Sequence, residues 1–131
     1  MTVGPVDRDE QTAAFFDGTA AGQLLLRRCP DGHYSEPQAA QCTTCGRLAL
    51  EWAAASGGAS LVSWAVSWFG DVATVLVIAE LDEGPWWWSQ LAGAEPAGLS
   101  AGTRLRLAFA RPDTGPGETA HEAVPVFELA G

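Results

Sequence analysis

Lysine is absent from this chain of 131 residues, whose seven cations are all arginines set against sixteen carboxylates, for a formal charge of −9. That absence removes any Schiff-base lysine. It also argues against sequence-independent nucleic-acid binding, whose affinity comes mostly from cations that neutralise phosphates. What remains is a local basic group, Arg104, Arg106 and Arg111. Long apolar runs are missing too. The longest, 75–79, fits a buried strand and falls far short of the roughly 20 residues of a membrane helix, so no membrane partner is expected. Residues 1–7 lack the basic start and apolar stretch of a secretory signal, which leads us to expect a cytoplasmic chain. Cysteine is scarce and odd in number, three in all. An odd count suits a reducing compartment, where closely spaced thiols bind metal more often than they form disulfides. Nor is there a convincing nucleophile set. His121 lies beside Glu122 in a polar stretch, whereas the zinc-deaminase signature needs His-x-Glu and a proline directly before the Cys-x-x-Cys, where this chain has Gln41.

What is present is a cluster. Cys29 and His33 flank a short proline-containing loop, and Cys42-Thr43-Thr44-Cys45-Gly46 follows. A zinc ribbon holds its metal between two knuckles, and a two-residue gap between cysteines lets both thiolates turn onto one ion. Cys42 and Cys45 have that gap. In Cys29-Pro30-Asp31-Gly32-His33 a glycine occupies the place of the expected second cysteine, with a histidine one residue beyond. Two readings stand: His33 is the fourth ligand of a structural zinc, or the metal has been lost and three reduced thiols remain. An open coordination position on such a site would activate water and make the chain a small zinc enzyme, but cysteine-rich sites are more often structural.

Along the chain, 7–22 reads as a helical lead-in. Asp7 with Glu10 resembles a capping box, Ala13, Ala14, Phe15 and Phe16 follow, and Gly18 is positioned to end the helix. Short strands at 24–28 and 48–52 lead into Cys29 and away from Cys45. Ser56-Gly57-Gly58-Ala59 marks a boundary. Beyond it, apolar runs at 61–69, 72–81, 86–92, 103–110 and 124–129 are separated by turn residues, and 111–118 is a turn-rich loop. Five such strands are expected to close as a small OB-fold barrel. In the first run Val62, Trp64, Val66 and Trp68 make an apolar face, while Leu61, Ser63, Ala65 and Ser67 make a mixed one. The expected organisation is therefore mainly β: an N-terminal helical segment (1–23), a rubredoxin-like zinc ribbon (24–55) and an OB-fold barrel (56–131).

Large aromatics exceed what a small core requires. Strand alternation puts Trp87 on the face opposite Trp86 and Trp88, so the three cannot all be core. Phe15 and Phe16 pack either on the chain's own barrel or on another subunit. All five are candidate anchors of a protein interface. Aromatics on an OB-fold can instead stack nucleobases, although the acidic charge opposes that use and no nucleic acid is expected.

In order and spacing these residues resemble a family of thiolase-associated zinc-ribbon/OB-fold proteins, an acyl-CoA-associated domain of unknown function. Phe16, Gly22-Gln23-Leu24 and Cys29 are similar to its opening, and Cys42-Thr43-Thr44-Cys45-Gly46 to its second knuckle. Trp52 and residues 57–64 are similar to its passage into the barrel, 77–84 to its central strand, and Gly102, Leu105 and Pro125-Val126-Phe127 to its closing strands. The departures are Gly32 at a usual cysteine, and Ala59 and Ala65 where glycine and threonine are common. The resemblance implies a non-catalytic accessory subunit of a thiolase-like enzyme: a thiolase, an acyltransferase of that fold, or a retro-aldolase of sterol side-chain degradation. It further implies an acyl-CoA ligand shared with the partner, with no residue assigned to coenzyme A. From other classes, a single-stranded nucleic-acid module and a small zinc enzyme remain as alternatives.

Overall fold

The computed structural model describes residues 8–93, 96–111 and 122–130, with Phe69 described by its backbone alone. Asp7, residues 112–118 of the turn-rich loop and His121 lie outside the described residues.

One helix, α1 (Ala13–Ala20), precedes eight strands: β1 (Leu25–Arg28), β2 (Tyr34–Ser35), β3 (Glu51–Ala54), β4 (Gly58–Phe69), β5 (Val72–Leu81), β6 (Trp86–Gln90), β7 (Arg104–Ala110) and β8 (Val124–Leu129). α1 begins later than the sequence suggests. Asp9 and Thr12 exchange hydrogen bonds, each main-chain N–H donating to the other's side chain at 2.9 Å, and this turn holds the chain ahead of the helix. The helix also ends later than Gly18. Gln23 N–H donates to Gly18 O and Gly22 N–H to Thr19 O, a Schellman closure with Gly22 at φ +77°, the left-handed position that favours glycine. Gly18 sits inside the helix for a packing reason: a Cβ there would lie 2.6 Å from Leu25 Cγ.

β2, β1 and β3 form a small antiparallel sheet, in which β1 runs into Cys29. Strand β3 starts at Glu51, three residues beyond the expected 48, and the two-residue β2 is an addition to the sequence reading. The other five strands lie in the order β6-β5-β4-β7-β8. The ends of that sheet meet through a parallel bridge between Leu91 and Phe127, with Ala92 N–H donating to Phe127 O at 2.7 Å. The result is the expected nearly closed five-stranded barrel, with the strand neighbours of an OB-fold.

β4 carries a bulge. Its register against β5 slips between Leu61 and Ser63, leaving Val62 as an extra residue. Ahead of the slip Ala59 and Leu61 are buried inside the barrel. After it Trp64, Val66 and Trp68 pair with Val77, Val75 and Ala73 on that same inner face. The apolar face read from alternation holds for Trp64, Val66 and Trp68, but the bulge puts Leu61 in line with them where Val62 is expected.

The core joins helix, small sheet and barrel: Phe15, Phe16, Leu24, Leu26, Leu61, Val77, Leu81, Leu105 and Phe127 form one buried cluster. No helix among the described residues is long and apolar enough to cross a membrane.

Candidate metal centre and aromatic clefts

Two tight turns bring the sulfurs and the imidazole together. At the end of β1, Cys29 N–H donates to His33 O and Gly32 N–H returns to Cys29 O, both at 2.9 Å, with Gly32 at φ +88°. In the second turn Cys42 N–H donates to Arg47 O and Gly46 N–H to Cys42 O, with Gly46 at φ +77°. The first turn is one residue shorter, so its left-handed glycine falls at the fourth position instead of the fifth. A glycine there leaves no side chain to ligate. His33, the next residue, reaches back over the turn with its longer side chain.

The four donor atoms lie within 4.8 Å of one another. Cys45 Sγ is 3.8 Å from Cys29 Sγ, and His33 Nδ1 is 3.4 Å from Cys29 Sγ. A zinc ion with Zn–S of about 2.3 Å and Zn–N of about 2.0 Å has tetrahedral edges of about 3.8 Å between sulfurs and about 3.5 Å from sulfur to nitrogen. Cys29, His33, Cys42 and Cys45 therefore fit a metal ion of this kind.

The electrostatics point the same way. The Cys45 amide, supported by that of Thr44 and opposed by burial, brings the Cys42 thiol down to about 6. The Arg47 amide pulls Cys45 down as well, yet burial and the neighbouring sulfurs of Cys42 and Cys29 outweigh it and leave that thiol raised. One thiolate is accommodated by the turn, whereas a second is opposed until a cation neutralises the cluster. The turns are also tied to each other. Arg47 Nε lies 3.0 Å from an Asp31 oxygen, and the buried Ser35 hydroxyl accepts the Thr43 N–H at 3.2 Å. Sequence reasoning missed these two ties, because neither pair has a spacing that marks it.

The five aromatic candidates separate into two groups. Phe15 and Phe16 are buried in the chain's own core, 5.2 Å apart edge to face. Trp87 points inward, with its ring centroid 5.8 Å from that of Phe15. These three rings pack against one another and border the clefts described below, whereas Trp86 and Trp88, 51% and 71% exposed, face outward. Trp86 Nε1 donates to Glu80 at 3.4 Å.

Two of the clefts that border β6 are lined by Trp87. One, about 430 Å³, opens between α1, the small sheet and the barrel and is lined by Phe15, Phe16, Trp52, Trp87 and Arg27 among others. There Arg27 of β1 stacks on its cross-strand partner Trp52, 3.7 Å from the ring centroid. The other, about 500 Å³, is lined by Glu36, Gln38, Trp86, Trp87 and Trp88. Of the basic group expected at Arg104, Arg106 and Arg111, Arg104 pairs with Asp82 at 2.9 Å and Arg106 with Glu128 at 2.6 Å.

A small ribbon bearing a Cys3His cluster, joined to an OB-type barrel, is the architecture these residues define. No family model matches the chain, and no curated protein matches it. Among solved structures it is similar to a chain of the Ltp2-ChsH2(DUF35) aldolase, with a TM-score of 0.77 at 22% identity over 95% of this chain and 98% of that one. At that identity the likeness concerns the fold, which the two chains share from end to end.

Proposed function

We propose that this chain is a DUF35-type accessory subunit, without catalysis of its own, that assembles with a thiolase-like acyl-CoA enzyme. The observation that carries the reading is the end-to-end fold likeness to a chain of an aldolase named for two components, Ltp2 and ChsH2(DUF35). The exposed Trp86 and Trp88 support it, because large aromatics left outside a small core are typical interface anchors. In this reading Cys29, His33, Cys42 and Cys45 hold one zinc, which supplies cross-linking of two turns. Four protein donors fill a tetrahedron and leave no position for a substrate or an activated water. The partner supplies the chemistry on an acyl-CoA, whether as thiolase, acyltransferase or retro-aldolase acting on a sterol side chain, in the cytoplasm.

The test is recovery of the tagged full chain from its source cell, followed by mass spectrometry of what accompanies it. A thiolase-like protein in near-stoichiometric amount is expected, together with acyl-CoA turnover by the pair and none by the isolated chain. Recovery of the chain alone, or turnover by the isolated chain, overturns the reading.

A further inference from the structure

The groove along β6 has a lining of one chemical character. Its walls are Glu36 and Gln38 from the turn after β2 and the three indoles of β6, with no cation among them. Trp86 and Trp88 stand on the same outward side of the strand, their Cα atoms about 6.6 Å apart as two residues of extended chain require. The indole face carries the negative part of the ring quadrupole. At Trp86 this is reinforced, because its N–H donates to the Glu80 carboxylate and such a bond polarises the ring toward greater electron density.

Among the described residues, none that lines this groove is a cation. Arg8, Arg28, Arg47, Arg104 and Arg106 are ion-paired to Asp17 or Glu122, Glu51, Asp31, Asp82 and Glu128. Arg27 lies over Trp52 on the neighbouring cleft. There is no lysine, and the net charge is −9.

We propose that the groove between β6 and the 36–38 turn is a receptor for a cationic side chain of another protein, a guanidinium or ammonium group held on the faces of Trp86 and Trp88 and neutralised by Glu36. Charge complementarity selects this occupant. A nucleotide would bring its phosphates against Glu36 in an already acidic protein, and a neutral aromatic would leave the carboxylate unused. The site requires a cation and not a particular protein, so it stands independently of the thiolase-like assignment.

The experiment titrates the 15N-labelled full chain with N-acetyl-arginine methylamide and follows the indole N–H resonances, assigned through Trp86→Phe and Trp88→Phe. Saturable shifts of Trp86 and Trp88 are expected, weakened about threefold by Glu36→Gln and several-fold by Trp88→Ala, and reduced by salt. The neutral isostere N-acetyl-citrulline methylamide and adenosine monophosphate serve as comparison ligands. Equal binding of either one, unchanged affinity in Glu36→Gln, or no saturable shift with the arginine derivative overturns the proposal. Glu36 and Trp88 are exposed, so both variants should keep the fold, which the remaining resonances report directly.

Discussion

Phe15 of the helix lies against Trp87 of β6, ring centroids 5.8 Å apart and planes inclined by 32°. The helix is thereby fastened to the barrel by aromatics. Trp87→Ala should consequently open a cavity and lower stability by about 3 kcal/mol. Trp88→Ala, on the opposite side of the same strand, should change it by less than about 0.5 kcal/mol. Urea unfolding of the two variants side by side distinguishes them, and similar losses would contradict the placement of these indoles.

Metal analysis of the purified chain should give one zinc per molecule. Its removal by chelation should lower the melting temperature, since a structural site contributes folding free energy. His33→Ala should weaken retention of the ion while a cobalt-substituted sample loses its tetrahedral absorption. A chain that melts at an unchanged temperature after chelation would mean that the turns stand on their hydrogen bonds alone.

Much of this architecture is legible from residue order. The strands at 72–81 and 124–129 match their expected bounds, because alternation and flanking turn residues are local signals. The metal cluster is legible because a Cys-x-x-Cys turn is local too. What escapes is set by pairing across the chain. The stack of Arg27 on Trp52 depends on the register of β1 with β3, and the orientation of Trp87 depends on a helix some seventy residues earlier. Gly18 departs from its expected role for the same reason: its smallness serves the approach of Leu25 and not the end of the helix, which Gly22 supplies.

That approach gives a test of its own. Gly18→Ala places a methyl group where Leu25 now packs, 2.6 Å from its Cγ, in a site flanked by buried Thr19 and Leu24. The helix gains propensity, but overpacking of this kind typically costs about 1–3 kcal/mol, so a net loss is expected. Thermal unfolding measures it, and an increase in stability would show that Leu25 moves aside without strain.

Asp82 and Arg104 join the end of β5 to β7, and the guanidinium hydrogen bonds hold the Asp82 carboxyl below its ordinary value. A lowered folded-state value means that the contribution is present above the unfolded value near 4 and is lost as pH falls through the lower folded one. Both side chains are about half exposed, 44% and 54%, so solvent screening limits the effect to less than about 1 kcal/mol. Asp82→Asn should therefore be slightly less stable than the parent at pH 7 and equal to it once the pH is below the lowered folded-state value. A gap that persists at the acid end would assign the effect to something other than this charge pair.

The hairpin of β4 and β5 outreaches the barrel it starts from. Past the bulge, Val66 and Trp68 lie on its inner side, while Val72 and Leu76 lie on its outer side, and all four are exposed. Its tip is thus apolar front and back, like a pin with two greased faces. A flat surface laid against it covers one side and leaves the other in water. To dry both, a companion molecule needs a socket.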